Sequence, residues 1–174
     1  MPVMTVNASF IDAAVEEAMS LYKKGSPSHK ILAGLVSAAE TVAGDDAVSS
    51  ILILDKNGLL RNGASPRLPY DYLTAIDGLK PNPKVGTCAA AAATGEMVMT
   101  PDFQADDKWA ELRHLPMALG FVGAWSMPIK TRSGHVLGTF GTYYREYRRP
   151  SISEINSIQI LAGTAALILA GDEK

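Results

Sequence analysis

The sequence predicts an α+β fold in a single domain. One central antiparallel sheet of five to six strands is expected, with terminal helices on one face and loops and short helices around a ligand pocket on the other. Apolar residues recur at helical spacing near both ends of the chain. Paired β-branched and aliphatic runs with turn signals lie between them. The 174 residues suffice for one domain with a substantial core.

Composition places the chain among ordinary folded proteins. Apolar residues make up 47% and charged residues 20%, with 16 basic against 18 acidic side chains, so no nucleic-acid partner is indicated. The single cysteine cannot form an internal disulfide or a cysteine-rich metal site. No apolar run approaches the ~18 residues of a membrane span, and the first residues do not resemble a secretory signal. We therefore expect a cytoplasmic protein with no membrane segment.

Two helices are predicted at the amino-terminal end. Asn7 is expected to cap the first helix, and Gly25 to end it. Ser26 and Pro27 have the spacing of an N-cap followed by a first helical residue, so they begin the second helix. That helix is expected to stop near Gly44.

The terminal helices also predict how the chain assembles. The first helix and the last, over residues 151–170, each carry more apolar surface than one sheet face covers. We therefore expect a homodimer through paired terminal helices. Residues 1–25 are assigned to this dimerisation helix, and residues 26–171 to the main domain.

Strands and short helices alternate in the middle of the chain. The predicted elements are strands 48–54 and 59–64 around a hairpin turn at 55–58, a helical turn at 70–76, a helix at 88–94, a strand at 97–100, a helix at 106–119, and paired strands at 121–130 and 135–145. The connection from Ser65 to Val85 contains four prolines, and its length is typical of a lid or a mobile loop. Ser151 and Glu154 have the spacing of a capping box at the start of the last helix.

Residues 85–149 carry a resemblance to a known family. The run W-S-x-P-I begins at Trp125, and G-x-V-L-G-T-F-x-x-Y-Y-R-E begins at Gly134. This pattern resembles the GAF domains found with bacterial sensor kinases and cyclic-nucleotide signalling proteins, and on element order the resemblance extends from Ser28 to Ala170. It implies a ligand pocket between the sheet and the layer formed by residues 70–119. It also implies a signalling partner, such as a histidine kinase of a two-component system acting in trans.

The start of the helix at 88–94 is the first candidate part of such a pocket. The amide groups of Cys88, Ala89 and Ala90 follow Gly86 and Thr87, and small side chains leave them uncovered. Free amides and the helix dipole together favour a small anion or a carboxylate. The alternative is that the alanines only pack tightly against the sheet. The two interpretations, anion binding and close packing, are compatible.

Further candidates lie on the predicted strands and on the cover. Trp125 and Ser126 are neighbours in a strand and so point to opposite faces, one of them toward the ligand; the sequence leaves open which. Thr139 places a hydroxyl in a central strand, where it needs a ligand or a backbone carbonyl as its partner. The resemblance implies that Asp102, Phe103 and Trp109 cover the pocket, with rings that stack on a flat ligand. Asp102 could instead cap a helix.

Enzymatic chemistry has little support in the sequence. Cys88 lies at a helix start, where a thiol becomes more reactive. Free methionine-R-sulfoxide reductases, which are GAF-like enzymes, need a second thiol that this chain lacks. Bilin-binding GAF domains attach their chromophore at a Cys-His pair, whereas Ala89 follows Cys88 here. His29, His114 and His135 do not have the spacing of a metal site.

The sequence thus predicts a non-enzymatic sensor that binds a small anionic or polar ligand of unassigned identity. Ligand binding is expected to order residues 66–85 and 101–120 and to change the packing of the terminal helices. The alternative from a different class is a dimerisation or scaffold module whose pocket is filled by its own side chains. The less favoured alternative is the reductase-like enzyme. A ligand that raises the melting temperature separates the sensor from the scaffold.

Overall fold

A computed structural model describes residues 2–44 and 46–172 as an α+β fold, as the sequence predicts. Its helices are α1 (Pro2–Lys23), α2 (Ser28–Ala43), α3 (Tyr70–Ile76), α4 (Cys88–Thr94), α5 (His114–Ala118) and α6 (Ile152–Asp172). Its strands are β1 (Val48–Leu54), β2 (Leu60–Ala64), β3 (Val98–Thr100), β4 (Gly123–Lys130) and β5 (Val136–Tyr144). Two 3-10 turns, Phe103–Ala105 and Asp107–Trp109, lie between β3 and α5.

The five strands form one antiparallel sheet in the order β2-β1-β5-β4-β3. The β1–β2 hairpin forms where the sequence predicts it. Asp55 Oδ1 accepts hydrogen bonds from the backbone N–H groups of Asn57 and Leu59, and Gly58 has a φ of +78°, which favours glycine. The central position of β5 places its residues between both halves of the sheet.

Two apolar cores lie on opposite faces of the sheet. Helices α1, α2 and α6 cover one face and enclose the larger core. The other face is covered by α3, α4, α5 and the two 3-10 turns, which enclose the smaller core. Ile11 and Ala18 of α1 are buried in the larger core, so α1 is part of the domain's own packing. Its role in dimerisation stays a prediction.

Several predicted boundaries were wrong for local reasons. α1 begins at Pro2, so Asn7 lies within the helix and does not cap it. α2 begins at Ser28 after Pro27, without a side-chain cap. The single helix predicted over 106–119 is interrupted, because proline is accommodated only in the first turn of a helix. Pro116 accordingly lies in the first turn of the short α5.

The last helix, α6, begins as predicted and accounts for the most apolar stretch of the chain. Glu154 N–H donates to Ser151 Oγ at 3.1 Å, which confirms the capping box. Residues Ile152–Gly171 are long and apolar enough to cross a membrane by length and composition alone, and 56% of the most apolar window is buried inside the fold. The expectation that no such stretch exists was therefore wrong, and packing against the sheet, α1 and α2 explains its apolar character.

Candidate functional site

Trp125 and Ser126 occupy opposite faces of β4, and the structure assigns each to its face. Trp125 lies in the larger core beneath the terminal helices, where its Nε1 donates to the Tyr144 hydroxyl at 2.9 Å. Of the two roles that the sequence left open for Trp125, core residue and ligand wall, its position on this face is that of a core residue. Ser126 lies on the other face, beneath α4.

Cys88 and Ser126 meet between α4 and the sheet. Their Sγ and Oγ atoms are 3.0 Å apart, which is hydrogen-bond distance for a thiol and a hydroxyl. Gly141 of β5 makes this contact possible, because a Cβ at that position would lie 3.0 Å from the sulfur and 3.4 Å from Ser126 Oγ. Cys88, the first residue of α4, therefore packs directly against the sheet.

A small cavity of about 20 Å³ lies next to Cys88, between the sheet and its cover. Its apolar wall is formed by Leu52, Ile76, Leu79, Leu112 and Leu115, and the rest by Tyr72, Thr87, Cys88, Trp109 and Tyr143. No charged side chain lines it. The volume suffices for about one water molecule, so a larger ligand requires the cover to move outward.

Two buried polar atoms on this side of the sheet have no hydrogen-bond partner among the described residues. They are Nε1 of Trp109, which lines the cavity, and Oγ1 of Thr139, which lies beside Cys88 on β5. Trp109 is 4% exposed and Thr139 is fully buried. Most buried polar atoms in proteins are paired, because an unpaired one loses its hydration without compensation. The Trp109 N–H is therefore the clearer indication of a missing partner, because the Thr139 hydroxyl lies close enough to the Cys88 thiol to lower its pKa.

Tyr72 and Tyr143 form the polar end of the cavity. Their hydroxyl oxygens are 2.7 Å apart, and their rings meet edge to face with centroids 5.8 Å apart. One hydroxyl donates to the other, so the second keeps a proton that it can donate to another acceptor. The sequence offered Tyr72, with Tyr70, only as a loop residue that could close the far side of the pocket, and it placed Tyr143 on the same strand face as Thr139 without a role. Tyr72 lies in the proline-rich connection, where the sequence alone did not distinguish it from an exposed loop tyrosine.

The cavity is unfavourable for negative charge. Burial raises the pKa of the Tyr72 hydroxyl, of the Tyr143 hydroxyl and of the Cys88 thiol. The hydroxyls of Ser126, Thr139 and Thr87 offset only part of that rise for Cys88. Cys88 is therefore a neutral thiol at neutral pH and not an activated nucleophile. The same loss of hydration would penalise an anionic ligand group at this position.

The α4 residues predicted to bind an anion mainly pack against the sheet. Ala89 and Ala90 are buried, and neither lines the cavity. The Ala89 carbonyl accepts from Asn82 N–H at 3.0 Å. The close-packing interpretation of the alanine run is thus the one that the contacts favour, while Thr87 and Cys88 do reach the cavity.

The predicted cover residues have separate roles. Phe103 is fully buried and packs on Trp109 with ring centroids 4.4 Å apart. Asp102 accepts from Gln104 N–H at 3.0 Å and caps the first 3-10 turn. Asp106 caps the second turn in the same way, through Lys108 N–H. Phe103 thus supports the cavity wall from behind, and Asp102 has the capping role that the sequence left open.

A polar network on the other face connects the sheet to the terminal helices. The Tyr144 hydroxyl donates to Glu154 Oε2 at 2.6 Å. Arg148 donates to Glu154 Oε1 at 2.6 Å and to the Ala43 carbonyl at 2.7 Å, and its guanidinium lies 3.8 Å from the centre of the Tyr144 ring. The end of α2, the start of α6 and β5 are thereby joined.

Across residues 2–44 and 46–172, no group of three or more His, Cys, Asp or Glu side chains has an arrangement that could hold a metal ion.

Comparison with known proteins agrees with this geometry. Residues 26–170 match the family model described as GAF domain. The chain belongs to the GAF family. GAF domains are typically regulatory sensor domains, and the resemblance inferred from residues 85–149 is thereby confirmed.

Individual relatives of this GAF domain come from several signalling proteins. A methyl sulfide methyltransferase-associated sensor from Methanosarcina acetivorans is 31% identical over 146 residues, which make up 83% of this chain and 14% of that protein. The chain thus spans only a small part of that relative. The GAF domain of a phosphoenolpyruvate-protein phosphotransferase from Coxiella burnetii has a TM-score of 0.75 at 18% identity, with 96% of each chain covered. A domain assigned to a two-component sensor histidine kinase from Sinorhizobium meliloti has a TM-score of 0.65 at 24% identity, covering 79% of this chain and 87% of that one.

Proposed function

We propose that this GAF domain is a cytoplasmic, non-enzymatic sensor that binds a small molecule in the cavity between the sheet and its cover. The observation that carries the proposal is the indole N–H of Trp109, which has no hydrogen-bond partner among the described residues although Trp109 is buried and lines the cavity. A ligand with a hydrogen-bond acceptor removes the cost of that unpaired donor.

The cavity favours a neutral inner group on the ligand. Its wall is mostly aliphatic and aromatic, and its polar atoms include the Trp109 N–H and one unused tyrosine O–H proton as donors. An anion in this position would lose its hydration without meeting a cation. The sequence led us to expect an anionic group on the ligand. For the part of the ligand inside the cavity, we propose an apolar group or a neutral hydrogen-bond acceptor instead.

Occupancy would reach the terminal helices through β5. Tyr143 contacts Tyr72 of the cover, and the next residue, Tyr144, contacts Glu154 of α6. A ligand that moves or orders the cover changes the position of Tyr143, and strand rigidity passes that change to Tyr144. This is a population shift between two packings of the same elements. A histidine kinase or another signalling protein would receive the signal in trans.

A homodimer through the terminal helices is part of this proposal. Ile152, Ile160 and Leu167 lie on one stripe of α6 and are 78%, 50% and 61% exposed. Apolar side chains at such spacing on an exposed helix face favour a contact with another apolar surface. Pairing with a second copy would place two sensor domains side by side, with their terminal helices in contact.

The reductase-like alternative is disfavoured by the state of the thiol. Cys88 is the chain's single cysteine, and burial raises the pKa of its thiol. A sulfoxide reductase needs a reactive thiolate and a second thiol to regenerate it. The buried, hydrogen-bonded Cys88 is instead proposed to be a wall residue of the ligand cavity.

The test is a native mass spectrum of freshly purified protein, followed by a thermal-shift screen of small neutral molecules. The sensor proposal expects a bound or binding compound that raises the melting temperature by mass action. It also expects Trp109→Phe to reduce that rise. If the wild type carries no compound and no screened molecule raises its melting temperature, the scaffold alternative is the better description.

A further inference from the structure

One wall of the cavity is formed by residues 70–79, which comprise α3 and the three residues after it and which we call the α3 segment. Tyr72 and Ile76 are buried in this wall, and Leu79 lines it while partly buried. The opposite face of α3 is exposed. A helix of seven residues is too short to be stable by itself. The position of the wall therefore depends on the contacts that hold the α3 segment to the sheet.

Backbone pairing and a side-chain bond hold the α3 segment in place. Gly78 N–H donates to the Leu60 carbonyl, and Leu60 N–H donates to the Leu79 carbonyl, both at 2.9 Å. These two bonds attach the end of the segment to β2, which is an edge strand. Nearer its start, the Tyr72 hydroxyl bonds to the Tyr143 hydroxyl of β5. Outward movement of this wall must therefore separate the end of the segment from β2.

Arg61 of β2 joins the α3 segment to the β1–β2 turn by charge. Its Nε donates to Asp55 Oδ2 at 2.9 Å, and its Nη1 donates to Asp77 Oδ2 at 2.8 Å. The Asp55 carboxylate is fixed by the turn, because its other oxygen accepts two backbone N–H groups. Asp77 is the C-cap residue of α3, where the helix dipole disfavours a negative charge. The guanidinium of Arg61 offsets that charge and fixes its position.

We propose that Arg61 is a positioning residue for the cavity of the sensor function proposed above: through Asp77 it holds the α3 segment closed, and outward movement of this segment admits a molecule to the cavity. Arg61 acts from outside, since it contacts Asp77 and not the cavity wall. Asp77 and Leu79 are only two residues apart. Release of Asp77 therefore frees the chain that carries Leu79.

The strength of the contact fits an adjustable closure. The side chains of Arg61 and Asp77 are 44% and 47% exposed. Ion pairs with this exposure are weak, and salt screens them. The contact therefore sets how often the α3 segment opens, while the Leu60 pairing and the Tyr72 hydroxyl define the closed position. Access to the cavity should accordingly depend on ionic strength.

The test is alkylation of Cys88 in the full chain by iodoacetamide, an uncharged reagent that must enter the cavity. At pH 8 and low ionic strength, Arg61→Gln should speed alkylation of the folded protein by about three- to tenfold, because both ion pairs of the arginine are lost. The matched control is Arg132→Gln, which removes an exposed arginine in the β4–β5 turn and should leave the rate unchanged. Low concentrations of urea should affect these rates only weakly, as expected for local opening.

Two further measurements identify the contact itself. Raising the ionic strength from about 0.02 M to about 0.5 M should speed alkylation of the wild type and change the rate of Arg61→Gln less, because the charge to be screened is then absent. Arg61→Gln combined with Asp77→Asn should react no faster than Arg61→Gln alone, since both substitutions remove the same contact. A general loosening of the fold would give additive effects and no difference in salt dependence.

Several results would overturn the proposal. One is a wild-type alkylation rate in Arg61→Gln at low ionic strength, and another is an equal salt effect on both proteins. A third is an alkylation rate of Arg61→Gln that depends on urea as steeply as global unfolding does, because the arginine would then act on the whole fold. Additive effects of Arg61→Gln and Asp77→Asn would likewise contradict closure through their shared contact.

These outcomes are separable from failure of the sensor function, because the probe is a thiol reagent and not a ligand. If a compound raises the melting temperature while Arg61→Gln leaves alkylation unchanged, the cavity is a ligand site and only the role of Arg61 is overturned. If no compound binds while Arg61→Gln speeds alkylation with the predicted salt dependence, the sensor proposal fails and the route of access stands.

Discussion

Tyr143 and Tyr144 are consecutive residues of β5 whose hydroxyl groups lie on opposite faces of the sheet. Tyr143 bonds to Tyr72 in the cover at 2.7 Å, and Tyr144 bonds to Glu154 at the start of α6 at 2.6 Å. Successive side chains of a strand point to opposite faces, so a shift of the backbone at one residue moves both. This pair connects the cavity to the terminal helices through two consecutive residues.

Removing the two hydroxyls separately should have unequal effects. Tyr144→Phe loses the bond to Glu154 and leaves the Trp125 N–H without its acceptor, which should lower the free energy of unfolding by ~2–3 kcal/mol. Tyr143→Phe loses only the bond to Tyr72 and should cost ~1 kcal/mol. Urea unfolding followed by circular dichroism measures both. Equal losses would contradict the network on the helix side.

The two tryptophans provide a second matched comparison. Trp109 Nε1 has no partner, whereas Trp125 Nε1 donates to Tyr144. Without ligand, Trp109→Phe should therefore cost less stability than Trp125→Phe, by ~1 kcal/mol or more. With a bound ligand the Trp109 variant should lose part of the ligand-dependent rise in melting temperature. If only Trp125→Phe loses part of the ligand-dependent rise in melting temperature, the ligand binds on the other face of the sheet.

Sequence patterns predicted the elements better than their orientation. The strand pair in residues 121–145 and the capping box of α6 follow from local chemistry, and both were found. Because side chains alternate between the two faces of a strand, the sequence placed Trp125 and Ser126 on opposite faces of β4. It did not determine which of them lies beneath the cover. That choice depends on which layer each face packs against, and this is a property of the whole fold.

The candidate site was less accessible to sequence reasoning for the same reason. Thr87, Cys88 and Trp109 were expected at the ligand and do line the cavity. Tyr72 was considered only as a loop residue that could close the pocket, and Tyr143 was given no role, because contacts between residues 71 positions apart leave no local signal. Thr139 was noted for its need of a partner, and only the structure places its hydroxyl beside the Cys88 thiol.

Glu40 gives a pH dependence with a defined sign. It lies in α2, where its Oε2 accepts from Ser49 N–H at 3.0 Å. Burial raises the pKa of its carboxyl, and the Ser49 hydrogen bond and the charge of Arg67 oppose this in part. A folded-state pKa above the unfolded value means that the stabilising contribution is present below about pH 4.5 and is lost as the pH rises through the folded pKa.

Replacing that carboxyl should therefore matter more as the pH rises. The stability of Glu40→Gln relative to the wild type should increase between pH 4 and pH 7, since the amide oxygen still accepts from Ser49 while no buried charge forms. Unfolding in urea at a series of pH values measures the difference. Glu16→Gln, on the exposed face of α1, is the control for removing a carboxyl. If the stability of Glu40→Gln relative to the wild type falls between pH 4 and pH 7, the burial of the Glu40 carboxyl is contradicted.

The only thiol of the chain makes occupancy of the cavity measurable. Cys88 is 8% exposed, lines the cavity and has a pKa raised by burial. Iodoacetamide reacts with the thiolate, so alkylation of the folded protein at pH 8 should be at least ~tenfold slower than in urea. A ligand in the cavity should slow it further, because the cover must open before the reagent reaches the sulfur. Fast alkylation of the folded protein would show an exposed thiol, and a rate that a tightly bound ligand leaves unchanged would place that ligand outside the cavity.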